Sequence, residues 1–177
     1  MTLEELWQLF PIILTEHHPE WKSWYAEEAA LLQEALPGVA LHHIGSTSVE
    51  GIWAKPIVDI LALAQPEADF AALEKAVCAA GYRCMSREEN RLSFNKGYTP
   101  EGFAQRVFHL HLRRVGDQDE LYFRDYLRAH PEAAKAYEAL KLSLWKPFEH
   151  NRDGYTAAKT DFIALYTQRA KLESQQE

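Results

Sequence analysis

Apolar residues first fall into a helical rhythm after Pro19, where Trp21, Trp24, Tyr25, Ala29, Leu32 and Leu36 recur at intervals of three and four until Pro37 and Gly38 end the run. Residues 39–44 then read as a strand, 45–51 as a tight turn holding about one helical turn, and 56–64 as a strongly apolar second strand. A 3.6-residue period returns over 68–80 through Phe70, Leu73, Ala76 and Val77, with Gly81 at the C-terminal cap position. Residues 82–85, 91–94 and 106–113 have strand character, and Gly97, Pro100 and Gly102 between the last two suit a hairpin loop. Helical patterns fill the remainder at 119–129, 131–146 with Pro131 in the first turn, and 154–171, after which fraying is expected. Before all this, Thr2 and Glu5 form a capping box for a short opening helix, and 11–14 is an apolar run of strand length. The expectation is α+β: a short mixed sheet flanked by helices, with a helical C-terminal third.

The 177 residues fit one domain, with its core at about 21–170, and no repeat, low-complexity tract or Gly/Ser-rich linker divides them. With 19 Lys and Arg against 26 Asp and Glu, a formal charge of −7 argues against non-specific nucleic-acid binding through phosphate charge, though not against a local basic pocket. No apolar stretch reaches the roughly 20 residues that cross a bilayer, and the N-terminus lacks the basic start and apolar run of a signal peptide. Cys78 and Cys84 match neither a zinc knuckle nor a redox pair and read as packed, reduced thiols. A cytoplasmic setting with no membrane partner is the expectation.

Chemistry concentrates between the first two strands, in His43-Ile-Gly-Ser-Thr-Ser-Val-Glu-Gly-Ile-Trp-Ala-Lys-Pro-Ile-Val-Asp-Ile-Leu61. Gly45 permits close backbone approach, and backbone N–H groups with the Ser46 and Thr47 hydroxyls at a helical N-terminus cradle phosphate oxygens well. Asp59 on the adjacent strand can hold a divalent metal shared with those phosphates, and Lys55 adds a mobile positive charge. The plain alternative is a hydroxyl-capped turn beside a hydrogen-bonded acid.

A Gly-Ser pair, 12 further residues and an Asp opening an apolar strand resembles the nucleotidyltransferase superfamily, whose turn binds triphosphate and whose strand carboxylates bind magnesium. The sequence resembles the GrpB family more closely, in 43–49, 54–60, Phe-His-Leu-His-Leu at 108–112, Phe-Arg-Asp-Tyr-Leu-Arg at 123–128, Leu140-Lys141 and Tyr155-x-x-x-Lys159. The resemblance implies a nucleotidyltransferase-like fold whose C-terminal helices close one side of a cleft. It implies a nucleotide or phosphorylated small molecule as ligand, with catalysis at Asp59 and the acceptor unspecified. Active members of the superfamily place a second carboxylate two residues after the first, where this chain has Leu61. Either one metal is held by mixed ligands, or phosphate is bound without transfer.

Three histidine pairs stand out: 17–18, 42–43 and His109-x-His111. Strand neighbours alternate faces, so His42 and His43 are expected to part, whereas His109 and His111 point together, either into the cleft beside Asp59 or as a pair of hydrogen-bonded surface histidines. An Asp with two His suits manganese or zinc better than magnesium. Lys159 shares a helical stripe with Tyr155, Phe162 and Tyr166, and Lys141 follows Tyr137 by four. Each either snorkels to water or reaches phosphate. With Arg106 and Arg124 they suggest a polyanion pocket. Trp21 and Trp24 read as core, and Trp53, just before Lys55, as the one candidate for base stacking.

Overall fold

The computed structural model describes residues 1–176. Its elements are α1 (Leu3–Leu9), α2 (Glu20–Ala35), β1 (Ala40–Ile44), a 3-10 turn (Ser46–Ser48), β2 (Val58–Ala64), α3 (Phe70–Ala79), β3 (Arg83–Arg87), β4 (Arg91–Thr99), β5 (Gly102–Arg114), α4 (Asp119–Ala129), α5 (Pro131–Trp145) and α6 (Arg152–Ser174). The sheet runs β1-β2-β5-β4-β3, with β2 and β5 parallel and every other pairing antiparallel. The expected mixed sheet with helical flanks is therefore present.

Alternation along the strands assigns the two faces. Val58, Ile60, Ala62, Phe108, Leu110, Leu112 and Phe94 turn to one side and are buried with Trp21, Leu32 and Val77 of α2 and α3. The opposite face carries Ile44, Leu61 and Leu63, on which Leu121 of α4 packs. Asp59, His109 and His111 occupy this same face, in register across the parallel pair as Asp59 beside His109 and Leu61 beside His111. Trp21 is buried core, as its helical spacing predicts, and Trp24 packs against it.

Val49 and Ile52, just past the 3-10 turn, are buried among Leu127, Ala133, Ala134 and Tyr137 of α4 and α5. The turn is thereby clamped between sheet and C-terminal helices, each of which supplies apolar surface that it does not bury alone.

Several expectations change. Residues 11–14 form no strand, because their N–H and C=O groups are taken elsewhere: Ile12 donates to the Glu149 carbonyl and accepts from the Trp145 indole, while the neighbouring Thr15 makes only an isolated bridge to Ala54. The β4–β5 hairpin extends much further than the sequence suggests, to a tight turn between Thr99 and Gly102, and Gly97 marks a bulge within it rather than a loop. At Gly97, φ of 99° and the nearby Arg106 carbonyl exclude a side chain. Cys84 is half-buried, but Cys78 is exposed rather than packed.

Candidate functional site

Three layers build the site: the turn after β1, the first residues of β2 with their partners on β5, and the inward faces of α5 and α6. They enclose a cavity of about 120 Å³ lined by Gly45, Ser46, Thr47, Lys55, Ile57, Asp59, His109, Tyr137, Lys141, Tyr155 and Lys159. Nine of the residues singled out from sequence thus meet in one place. His111 adjoins them through Asp59.

Gly45 adopts φ of 75°, and a Cβ there would lie 2.5 Å from Asp59 Oδ2. Turn and carboxylate therefore touch only because residue 45 has no side chain. Gly45→Ala is expected to lower stability by about 2 kcal/mol, from the positive φ and the clash together. Urea denaturation checks this, and an unchanged midpoint would disconnect Gly45 from the carboxylate.

Lys141, only 2% exposed, donates to Ser46 Oγ at 2.8 Å and to the Trp53 carbonyl at 2.5 Å. Lys159 stands over the Tyr155 ring at 4.4 Å and Lys55 over the same ring at 5.3 Å. Among the described residues none of the three lysines forms an ion pair, and Asp59 is the only acid on the cavity wall. Burial, then repulsion between neighbouring cations, lowers Lys55 to about 8, Lys141 to about 7 and Lys159 to about 6. The last two stems do not snorkel to water.

Asp59 Oδ1 lies 3.6 Å from His109 Nδ1 and 3.4 Å from His111 Nε2. Burial pushes the carboxyl upward, but the bonds and charges of His109 and His111 outweigh it and hold Asp59 well below the usual carboxylate range. Burial lowers His109 against the opposing pull of Asp59. Its Nε2 is bonded to the Tyr98 hydroxyl at 2.7 Å, which orients the ring and turns Nδ1 to the carboxylate. Among the described residues no three His, Cys, Asp or Glu side chains are already arranged as a metal cage.

Two expected members stand apart. Arg106 pairs with Glu27 and lies over the Trp24 ring, because its position on β5 points toward α2. Arg124 is committed to Asp125 and to the His43 carbonyl. Beside it Arg128, which sequence reasoning passed over, donates twice to the Ser48 carbonyl at 3.0 and 2.8 Å. Arg124 thus holds a carbonyl of β1 and Arg128 one of the turn, both from a second groove of about 1150 Å³ that meets the cavity at Thr47. Against expectation, His42 and His43 line that same groove, since β1 is an edge strand that the groove reaches from both faces. His43 stacks on Tyr25, bonds Thr47 Oγ1 at 3.0 Å, and is lowered by burial to about 4, so at neutral pH it is an uncharged brace for the turn. Trp53 packs near Trp145 beside Ile12 and Leu14 instead of offering a stacking face to the cavity. Tyr137, on the cavity wall beside Lys141, was findable from its four-residue spacing to that lysine, whereas nothing local marked Tyr98 or Arg152.

Comparison with solved structures places this architecture in the nucleotidyltransferase-like class. The Cid1 poly(U) polymerase with MgGTP bound superposes with a TM-score of 0.51 at 13% identity, over 79% of this chain and 44% of that one, a likeness of fold alone. The crystal structure of GrpB from Enterococcus faecalis superposes with a TM-score of 0.79 at 31% identity, over 93% of this chain and all of that one. Residues 11–169 match the family described as GrpB protein, and the chain belongs to that family. The glutamate-rich protein GrpB of Alkalihalophilus pseudofirmus is 31% identical over 86% of this chain and 91% of its own. UPF0157 proteins of Pseudomonas aeruginosa and Bacillus subtilis are 37% and 31% identical over 86% and 88% of this chain, which spans 64% and 46% of their lengths. Among the described residues no helix is long and apolar enough to cross a membrane.

Proposed function

We propose that the cavity binds the phosphate chain of a nucleotide and that the protein transfers a nucleotidyl group to an acceptor. The observation that carries the reading is the convergence of Lys55, Lys141 and Lys159 on the Gly-Ser turn with a single carboxylate to balance them. Burial and mutual repulsion disfavour the charged forms of the three clustered lysines, and a polyanion is the partner that restores their protons and turns this repulsion into attraction. At about 120 Å³ the cavity accommodates phosphates and leaves a nucleoside at its mouth.

The donor types suit a divalent cation, although Asp59, His109 and His111 are not arranged as a ready cage. Asp59 presents an oxygen flanked by two imidazole nitrogens, Gly45 leaves its second oxygen open beside the turn, and Tyr98 orients His109 from behind. Asp59, His109 and His111 would hold the ion, with manganese or zinc favoured over magnesium by the nitrogen donors. When bound, it would neutralise charge on the reacting phosphate. The chain's own groups do the rest. Lys141 holds Ser46 toward the phosphates, Lys55 and Lys159 draw in the outer charges, and Tyr137 and Tyr155 exclude water.

Calorimetry with a panel of nucleoside triphosphates and manganese, followed by assay of released pyrophosphate, tests the reading. Binding with pyrophosphate release is expected. Binding without release would favour a non-catalytic binding protein, a reading that rests on the fully buried Leu61 where a second carboxylate would stand. Absence of binding would overturn both. Manganese affinity at pH 7 is expected to fall about tenfold in His109→Gln and in His111→Gln, as for loss of one ligand. Unchanged affinity would remove the histidines from the metal set.

A further inference from the structure

One amine of the lysine cavity is left without a partner. Lys159 projects from α6 with its Nζ 4.4 Å from the centre of the Tyr155 ring, and it lines the cavity without donating to any oxygen among the described residues. Its nitrogen is not sealed in, as the Tyr155 hydroxyl is, but keeps surface open to the cavity.

The groups that face this amine come from every wall. Lys55 precedes β2, Asp59 is on β2, His109 on β5, Tyr137 and Lys141 on α5, and Tyr155 on α6. Lys141 directs N–H bonds to Ser46 Oγ and the Trp53 carbonyl, whereas Asp59 is engaged by His109 and His111 and forms no ion pair with Lys159. Burial, with Lys55 and Lys141 as cationic neighbours, brings Lys159 down to about 6, so that it is mostly an unprotonated amine at pH 7. A lysine that is desolvated and set beside another cation is a nucleophile toward carbonyl carbon. The charge of the ligand decides whether it stays one. A single phosphate monoester carries about two negative charges at pH 7, enough to match Lys55 and Lys141 but not a third ammonium. A polyphosphate carries enough for all three.

We infer that the cavity also takes a small phosphorylated aldehyde, whose phosphate lies on the Ser46 turn with Lys55 and Lys141 and whose carbonyl carbon is captured by Lys159 as a Schiff base. This rests on the proposed function for the phosphate-binding turn and goes beyond nucleotidyl transfer. The Nζ lone pair forms the bond to carbon, the carbonyl oxygen takes both amine hydrogens and leaves as water, and a C=N bond remains. No oxidant, metal or further reactant enters the balance. A cavity of about 120 Å³ suits a phosphorylated chain of two or three carbons.

The full chain is incubated at pH 7 with glycolaldehyde phosphate and sodium cyanoborohydride, which reduces the imine to a stable amine, and the adduct is located by peptide mass mapping. One adduct at Lys159 is expected, formed at least tenfold faster than with unphosphorylated glycolaldehyde and at least tenfold faster than at any other lysine. Pyrophosphate should slow it at least tenfold, by occupying the turn and restoring the Lys159 proton. In Lys159→Met the single mass increment should vanish, and its transfer to Lys55 or Lys141 would count against the assignment. Labelling spread over surface lysines, a Lys159 adduct formed as fast by glycolaldehyde, or no protection by pyrophosphate would each overturn the inference. These three measurements use the unaltered chain and stand even where the variant fails to fold. Calorimetric binding of pyrophosphate with no adduct would sink the Schiff base alone, whereas a protected Lys159 adduct in a chain that releases no pyrophosphate from nucleotides would sink the transfer reading alone.

Discussion

Lys159→Met is expected to melt at a higher temperature than the unaltered protein while binding pyrophosphate at least tenfold more weakly. The two outcomes share one cause. Burial and the nearby Lys55 and Lys141 hold Lys159 at about 6, against roughly 10.4 in an unfolded chain, so folding must release or crowd a proton that the unfolded state keeps. Replacing a poorly matched buried cation with an apolar side chain of similar reach gains about 1–2 kcal/mol, worth roughly 3–6 °C for a domain of this size. The same substitution removes one charge-assisted contact to the ligand, about 1.5–3 kcal/mol. Because the folded-state values of all three lysines are depressed, the unfolded chain binds more protons and stability rises with pH between about 6 and 10. Lys159→Met should flatten the lower part of that rise. Pyrophosphate affinity runs the other way, weakening from pH 7 to 9 as the lysines lose the protons that the anion requires. Scanning calorimetry and titration across this range check both slopes. A variant that is less stable than the parent would show that Lys159 is already satisfied without ligand.

Asp59→Asn is expected to reduce pyrophosphate release from nucleotide by about a thousandfold or more, since it removes the negative charge on which both imidazoles converge. Its binding behaviour separates it from a general loss of structure. Without the one acid on the wall, metal-free pyrophosphate should bind more tightly, because an anion–anion repulsion is gone. Stability should fall by about 1–2 kcal/mol at pH 7, since the three lysines lose their only counter-charge. The Asp59 carboxyl is held below its ordinary value, so its contribution is complete above about pH 4 and is lost as pH drops through the folded value. The gap in melting temperature between parent and variant should therefore narrow below about pH 4. Weaker metal-free pyrophosphate binding would mean that Asp59 supports the turn rather than opposing the ligand.

What the sequence made legible follows from how locally each feature is determined. The Gly-Ser turn, Asp59 and the His109-x-His111 pair were readable because a turn and a strand fix their neighbours within a few residues; alternation put both imidazoles on one face of their strand, and the parallel pairing of β2 with β5 brought that face beside Asp59. Lys141 and Lys159 were readable as anomalies, cations on apolar stripes whose burial then proved deep. Arg106, chosen for preceding the His-x-His strand, and Arg124, chosen from a landmark, were misplaced because neither criterion says which way a side chain points: Arg106 pairs with Glu27 of α2 and Arg124 with its neighbour Asp125. Arg152 and Tyr98 were invisible for a different reason. Their contact spans 54 positions and depends on a hairpin extending past Gly97, which residue patterns read as a loop.

The clamping of the Ser46–Ser48 turn by Val49 and Ile52 would make a bound phosphate chain a structural crosslink. An anion on Lys141 and Lys159 would pull α5 and α6 toward the same turn whose Ser48 carbonyl Arg128 of α4 holds from behind, while Arg124 holds the His43 carbonyl of β1. Saturating it should slow amide exchange together in β1, β2, α5 and α6, well beyond the residues that touch phosphate. Substrate and product would then differ in how firmly they fasten the helices to the sheet, and release of the last phosphate would coincide with loosening of the whole seam.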